Sequence, residues 1–182
     1  MPRRSRCRTN IGPQSTRIAL WKFGVPKRAE LDAEVIERAI SEGHHWAIEF
    51  RYQGLFPRRS DSPREVSEVI DFLDMWSFIE EAHEAMPESA KKRIEDEAHP
   101  FSHCRFIGFD GNKEGHHLSI ARFLTGPLER FERFKGRTLN SHMPTVDAYR
   151  RMYRLFEQMR VNLLPPNKLG ITQIPQLLLA AE

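Results

Sequence analysis

Two glutamate–histidine pairs form the most specific chemical pattern in the sequence. Glu80 precedes His83 by three positions, and Glu114 precedes His117 by the same spacing. On a helix this spacing puts both side chains of a pair on one face, and di-iron bundles combine two such pairs with two further glutamates. A metal-dependent enzyme is therefore one hypothesis for this chain.

The helical pattern around these pairs weakens the metal hypothesis. Glu80 falls on the side of its predicted helix that faces solvent, and Glu114 falls in a first helical turn, where the helix dipole accounts for an acidic residue. His99 and His103 are separated by a proline, so a zinc site made from them with Cys104 would need distant ligands. We therefore predict no metal site and no cofactor.

Cys104 lies between His103 and Arg105 and is a candidate nucleophile, because neighbouring positive charge lowers the pKa of a thiol. The segment around it is predicted to be extended, however, and adjacent residues of an extended segment point to opposite faces. A cysteine among aromatic residues is usually a small buried apolar side chain. The sequence therefore favours a core position for Cys104.

Asn140, Ser141 and His142 directly precede a predicted helix that opens at Pro144. Exposed backbone amides at a helix N-terminus attract anions, so this segment is a candidate binding site. The alternative is that Ser141 or His142 only caps the helix, and the sequence favours capping. Asp110 has the same ambiguity, because capping and turn formation explain an aspartate followed by glycine without any ligand.

These residues are positioned by a series of predicted helices. Apolar residues at helical spacing set their approximate limits, together with capping residues and with proline and glycine stops. The predicted helical segments are residues 28–42, 44–56, 62–86, 88–98, 110–124, 144–164 and 171–181. An amphipathic segment near residues 15–24 precedes them, and its pattern alone does not choose between helix and strand.

The predicted helix from Ser62 has the clearest start in the chain. Ser62 and Glu65 form a capping box around Pro63, which suits a first helical turn. Its apolar stripe rotates around the cylinder along its length, so its two halves should pack against different neighbours. The opposite face is predicted to be solvated and comprises Glu65, Glu68, Asp71, Asp74, Glu80, Glu81 and Glu84.

Residues 101–109 form an aromatic-rich run that is too short for a helix, and we predict a short, extended and buried connector there. Together with the predicted helices, this connector indicates a single all-α domain of about six to eight helices. A chain of 182 residues with 40% apolar residues can bury a core of this kind without disulfides.

Positive charge is concentrated at the N-terminus. Residues 1–28 contain eight of the 28 lysines and arginines and no acidic residue, so the remainder is net acidic although the whole chain carries +3. Residues 1–14 are therefore predicted to be a basic arm, in which Arg3, Arg4, Arg6 and Arg8 are candidate contacts to nucleic-acid phosphates. The alternatives are a flexible arm without function, or docking on the acidic body or on a partner.

Composition excludes a membrane protein, because the longest apolar run, Leu177–Ala181, is far shorter than the ~20 residues of a membrane span. Two cysteines cannot build a disulfide framework, and the basic N-terminus lacks a secretory cleavage pattern. We expect a cytoplasmic protein with no membrane partner.

An ordered set of residues runs through most of the chain. It begins with Phe106-x-Gly108-Phe109-Asp110-x-x-x-Glu114 and continues through Phe123, Phe131, Phe134, Asn140-Ser141-His142-x-Pro144 and Tyr149-Arg150-x-Met152 to a short terminal helix. This set resembles the YfbU family of small bacterial proteins, over about residues 15–182. The resemblance implies a first helix at residues 16–20 and an almost all-α fold in a bacterial cytoplasm, and it implies no particular activity.

The resemblance also defines a candidate surface. We call it the family-motif set, and it comprises Phe106, Gly108, Phe109, Asp110, Glu114, Asn140, Ser141, His142 and Tyr149. No catalytic residue is assigned, and the chain carries no P-loop, no G-x-G-x-x-G and no G-x-S-x-G. These absences favour binding over catalysis.

We therefore predict a regulatory or protein-interaction module without catalytic activity, whose partner is an unknown protein or a second copy of the chain. Nucleic-acid binding through the basic arm is the alternative, and the metal-dependent enzyme is a second alternative.

Overall fold

The computed structural model describes residues 31–52, 63–97, 101, 103–163 and 167–182. The predicted basic arm with Arg3, Arg4, Arg6 and Arg8, the amphipathic segment near 15–24, and Ser62 lie outside the described residues. The residues from Asp32 to Glu182 cluster into one compact unit.

Helices dominate the described residues, which confirms the predicted all-α class. The seven α-helices there are α1 (Ala33–Ser41), α2 (His45–Arg51), α3 (Arg64–Glu84), α4 (Glu88–Glu97), α5 (Gly115–Thr125), α6 (Val146–Arg160) and α7 (Gln173–Leu179), and a 3-10 turn covers Glu132–Phe134. An isolated parallel bridge joins Phe109 to Asn140. No helix in this part of the chain combines the length and the apolar composition that a membrane crossing requires.

Capping explains where α1 begins. The carboxylate of Asp32 accepts hydrogen bonds from the backbone amides of Glu34 at 3.1 Å and Val35 at 3.3 Å. The amide of Asp32 donates to the hydroxyl of Tyr52 at 2.6 Å, which ties the end of α2 to the start of α1. Gly43, with φ of +74°, makes the turn between the two helices.

α3 is the central helix, because it packs against both α5 and α6. Its apolar face rotates along its length as predicted, and the buried side chains are Val66, Val69, Phe72, Leu73, Met75, Trp76, Ile79 and Ala82. The helix begins one residue later than the capping box predicts, because Pro63 has extended backbone geometry and takes the N-cap position.

The prediction of a solvated acidic face on α3 is wrong for Glu68, Asp71, Asp74 and Glu80. Only 4% of the Glu80 side chain is exposed, and Glu68 and Asp74 form ion pairs with two arginines of α6. The reason is that α6 covers one side of α3 and a loop carrying Arg137 covers another. The periodicity of α3 alone contains no information about either neighbour.

The described residues of the predicted connector, 101 and 103–109, are non-helical and lie between α4 and α5. Its start is a turn and is not extended as predicted, because the amide of Cys104 donates to the carbonyl of Phe101 at 2.9 Å and Cys104 has φ of +48°. Phe106 and Phe109 point into the core, where their rings lie 5.6 and 5.8 Å from the ring of Tyr149 on α6. The Tyr149 ring also lies 5.7 Å from Phe72 and 5.6 Å from Trp76, both on α3. The aromatic residues therefore join the connector to the two longest helices.

Cys104 is a core residue, as the sequence favours, with 2% of its surface exposed. Burial, together with the nearby carboxylates of Glu95 and Glu80, raises the pKa of its thiol to about 12. A thiol in this state is almost entirely protonated at neutral pH and is a poor nucleophile.

We therefore expect Cys104 to resist alkylation by iodoacetamide at pH 8 in the native protein and to react fully in urea. A Cys7→Ser variant makes Cys104 the single thiol, and intact-mass measurement counts the label. Rapid labelling of the native variant would show that the thiol is reachable and ionised.

Candidate functional site

The carboxylate of Glu114 is the hub that joins the family-motif set. Its Oε1 accepts hydrogen bonds from the backbone amides of Thr145 and Val146, each at 2.8 Å. Its Oε2 accepts from the amide of Asp110 at 3.0 Å. Glu114 thus caps α6 from a different helix, since it stands at the N-cap position of α5.

The carbonyl oxygen of Gly108 is a second atom that accepts two hydrogen bonds at this site. It accepts hydrogen bonds from the hydroxyl of Thr145 at 2.8 Å and from that of Tyr149 at 3.2 Å. Burial raises the pKa of the Tyr149 hydroxyl, so this group stays protonated and remains a donor. The connector is therefore fastened to the first turn of α6 by two hydroxyl groups.

Two loops lie side by side next to this hub. The amide of Phe109 donates to the carbonyl of Leu139 at 2.9 Å, and the amide of Ser141 donates to the carbonyl of Phe109 at 3.0 Å. The side-chain oxygen of Asn140 accepts from the amide of Gly111 at 3.0 Å and from that of His142 at 3.1 Å. Residues 111–113 and 142–144 are exposed, with Ser141 half-buried, and we call residues 111–113 and 141–144 the loop-tip surface.

The expectation that Ser141 or His142 caps the last long helix is wrong. Thr145 occupies the N-cap position of α6, and the acceptor for its first amides is Glu114. The hydroxyl of Ser141 instead donates to the carbonyl of Met143 at 2.6 Å, whereas His142 is exposed with φ of +56°. Asp110 forms a turn, because its carboxylate accepts from the amide of Asn112 at 3.0 Å.

The family-motif set therefore divides into interior and surface residues. Phe106, Phe109, Asp110 and Tyr149 are buried. Their hydrogen bonds go to other residues of the set or to its neighbours, and the carboxylate of Glu80 accepts from the amide of Phe106 at 2.9 Å. The exposed part of the set is the neighbourhood of His142.

The two glutamate–histidine pairs do not come together. Glu80 forms a two-pronged ion pair with Arg137 at 2.7 and 2.9 Å, and Glu114 is occupied by the backbone amides that it accepts. His117 lies 3.3 Å from the carboxylate of Glu68, and the Nε2 atom of His83 is buried without a hydrogen-bond partner. Among the described residues, no three His, Cys, Asp or Glu side chains are arranged to hold a metal ion.

The sequence argument missed the network around Glu68. Arg150 donates to both carboxylate oxygens of Glu68, at 3.2 and 2.8 Å, while His117 contacts the same group from α5. Burial of Glu68 raises its pKa, but the hydrogen bonds from Arg150 and His117 and the nearby arginine charges outweigh burial and lower the pKa below its ordinary value. This network joins α3, α5 and α6. Its one signal in the sequence is Arg150, which belongs to the residues that resemble the family.

A second missed contact has the form of a nucleophile and a base. The hydroxyl of Ser119 lies 2.9 Å from Nε2 of His44, whose pKa burial lowers. Two features make it a structural hydrogen bond. The Nδ1 atom of His44 is buried without a partner that would orient the ring, and Ser119 lies inside α5, where helical hydrogen bonds occupy the backbone amides that an oxyanion hole needs.

Replacement of Glu114 by glutamine is expected to lower the free energy of unfolding by about 1–3 kcal/mol. A glutamine amide has one acceptor oxygen and points a donor group at backbone amides that are donors themselves. Urea unfolding measures the loss, and hydrogen exchange at the amides of Thr145 and Val146 should become faster. The exposed Glu132→Gln is the control, and equal stability of the two variants would contradict the role of Glu114.

Comparison with known proteins shows a family and curated relatives. A family model described as the YfbU domain matches residues 26–180. A UPF0304 protein of Methanocaldococcus jannaschii is 32% identical over 94 residues, which cover 49% of this chain and 53% of that protein. The alignment thus spans about half the length of this curated relative. No solved structure matches the chain.

Proposed function

This chain belongs to the YfbU family, and from that premise we propose that it is a regulatory or protein-interaction module of the cytoplasm that binds its partner through the loop-tip surface and catalyses no reaction. The partner is another protein or a second copy of the chain. The proposal uses no metal and no cofactor.

The observation that carries the proposal is that the Glu114 carboxylate accepts its hydrogen bonds from groups of the protein itself. The hydrogen bonds of the Glu114 carboxylate, and those of Gly108 and Asn140, hold the connector, the loop before α6 and α6 itself in place. Such groups are not available to activate a substrate. These hydrogen bonds hold the two loop tips in place at the protein surface. Exposed polar and apolar residues on rigid loops are typical of binding surfaces.

Met143 is the residue best suited to probe this surface, because 47% of it is exposed at the tip of its loop. We expect Met143→Glu to abolish self-association in sedimentation velocity, or to abolish capture of a reproducible partner in affinity purification from the native host. Methionine adapts its shape to irregular partner surfaces, whereas a glutamate there would have to be desolvated on binding.

Val161→Glu is the matched control. Val161 is 76% exposed and lies at the C-terminal end of α6, about 22 Å along the helix from its N-terminal end at 1.5 Å per residue. Binding should be lost in Met143→Glu and retained in Val161→Glu. If the wild-type protein neither self-associates nor captures a reproducible partner, the proposed function is wrong.

Nucleic-acid binding is a second candidate, supported by the eight basic residues and the lack of acidic residues in residues 1–28. Binding of this kind depends on release of counterions and falls steeply with salt. The test compares the full chain with a variant lacking residues 1–14 on a random duplex and a single strand at low and near-physiological salt. Affinity that does not depend on salt, or that survives removal of the arm, would count against this candidate.

A further inference from the structure

The acidic residues on either side of residues 111–113 are turned away from the loop-tip surface. The Glu114 carboxylate accepts hydrogen bonds from the amides of Asp110 and Thr145 and from the Thr145 hydroxyl. Asp110 is 4% exposed, and its carboxylate accepts from the amide of Asn112. Both carboxylates are therefore occupied within the fold and add little negative charge to the surface.

The loop-tip surface is consequently basic and apolar. Lys113 is exposed and forms no ion pair in the described part of the chain, and the exposed imidazole of His142 adds a hydrogen-bond donor. Asp147, in the first turn of α6, is exposed but is paired with Arg150 at 3.0 Å. Met143, which is 47% exposed, supplies the apolar part of the surface.

One exposed face of α1 has the opposite charge. Ile36 and Ile40 are one helical turn apart, and Glu37 lies three positions before Ile40, so the three side chains share a face, which we call the α1 face. Ile40 is 57% exposed, and Glu37 is exposed without an ion pair to any residue that the structure describes. Arg38 is the cation of this helix, and it is paired with Glu42 at 3.0 Å. The α1 face is therefore acidic and apolar.

The two surfaces complement each other in charge and in polarity. Glu37, with the exposed Glu34 one turn earlier, is opposite in charge to Lys113. Each surface also carries one large exposed apolar side chain, Ile40 on α1 and Met143 on the loop tip. Opposite charges set the orientation of an interface, and removal of apolar side chains from water stabilises it. Because both surfaces are exposed within one chain, such a contact has to form between two copies.

We propose that the α1 face of one copy docks on the loop-tip surface of a second copy, with Glu37 facing Lys113 and Ile40 packing against Met143. This inference rests on the proposed function and deepens it, because it names the partner and the surface that the partner supplies. The two contacting surfaces differ, so the copies close as a symmetric pair in which the contact forms twice, or they continue into a ring or a chain.

The test is sedimentation velocity of the full-length protein at low and high salt. Lys113→Glu and Glu37→Lys should each raise the dissociation constant of self-association by about tenfold, because each places like charges opposite one another. The double variant restores opposite charges, so its dissociation constant should return to within about threefold of the wild-type value. High salt should weaken the wild-type contact by screening the charges.

Mixing the two single variants gives the most specific readout. In the mixture, the unchanged α1 face of Lys113→Glu meets the unchanged loop-tip surface of Glu37→Lys, and the two altered surfaces also carry opposite charges. Association should therefore return on mixing, although each variant alone associates weakly. Lys92→Glu, on the exposed side of α4, is the matched control and should associate as the wild type does.

The inference is overturned if the wild type stays monomeric, if Lys113→Glu associates as strongly as the wild type, or if neither mixing nor the double variant restores association. Its failure is distinguishable from failure of the proposed function. A monomeric wild type that captures a reproducible host protein through Met143 would overturn the docking of two copies and keep the proposed function. A monomeric wild type that captures no protein would overturn both.

Discussion

Replacing Glu80 with alanine is expected to lower the free energy of unfolding by about 3–5 kcal/mol, which is a large share of the ~5–15 kcal/mol of a typical domain. The Glu80 carboxylate is buried and receives both prongs of the Arg137 guanidinium. The same carboxylate lies 3.7 Å from Arg133 and accepts from the buried amide of Phe106 at 2.9 Å. Alanine would leave a guanidinium and an amide without their acceptor.

Urea unfolding followed by far-UV circular dichroism measures the loss. Glu84→Ala is the matched control, because Glu84 also pairs with Arg133, at 2.6 Å, but its side chain is 61% exposed. Exposed ion pairs contribute little, so this variant should lose no more than about 1 kcal/mol.

A double variant separates the loss of the pair from the burial of an unpaired charge. Combining Glu80→Met with Arg137→Leu removes both charges, and it should recover part of the stability that Glu80→Ala loses. If Glu80→Ala and Glu84→Ala lose the same amount, the buried pair has no special role in this fold.

Gly108→Ala is the second substitution with a large expected effect, because it adds a methyl group where the chain has no space. A β-carbon at this position would lie 1.9 Å from the carbonyl oxygen and 2.2 Å from the carbonyl carbon of Leu139. The backbone of Gly108 also has φ of +93°, which side chains rarely adopt. Backbone strain and overpacking each cost about 1–3 kcal/mol, so a total of about 2–6 kcal/mol is expected.

The consequences extend to the loop-tip surface. The obstructing atoms belong to the main chain, so relief requires the connector and the loop before α6 to separate. Separation breaks the hydrogen bond from the Phe109 amide to Leu139. Gly108→Ala should therefore speed hydrogen exchange at Phe109 and Ser141 in addition to lowering the urea midpoint.

Gly136→Ala is the control for the backbone conformation alone. Gly136 has φ of +75°, but a β-carbon there would meet nothing within 4 Å. Its cost should be limited to the strain of a left-handed residue, about 1–2 kcal/mol. Equal losses for the two glycine variants would mean that the contact with Leu139 does not constrain the fold.

Sequence periodicity correctly predicts the burial of apolar residues on the helices. Met152 and Phe156 are buried on α6 as their spacing predicts, and Leu177 and Leu178 are buried on α7. These placements follow from one helix considered by itself, because an apolar stripe must face the interior whatever covers it. The core position of Cys104 follows from another local feature, its place among aromatic residues.

The sequence does not predict the surroundings of the Glu80 and Glu114 carboxylates, and the reason is the same for both. Each carboxylate was assigned from its own helix, whereas its partners lie 57 positions away in Arg137 and 31 positions away in Thr145. Helical periodicity shows which face is polar and gives no information about which donors will reach that face. A buried, paired carboxylate and a solvated one have the same local pattern.

The amino-acid sequence by itself determined the helical class of this protein, the approximate limits of its helices, the aromatic connector and the family, because these depend on local periodicity, on breakers and on the order of residues along the chain. Only the tertiary structure decided the roles of the polar groups. Packing placed the Glu114 carboxylate within hydrogen-bond distance of the first amides of α6 and paired Glu80 with Arg137. It left the loop-tip surface exposed to solvent. The physical reason is that a buried charge is tolerated only when a partner compensates its loss of hydration. That partner comes from a segment distant in the sequence, so only the tertiary structure identifies it.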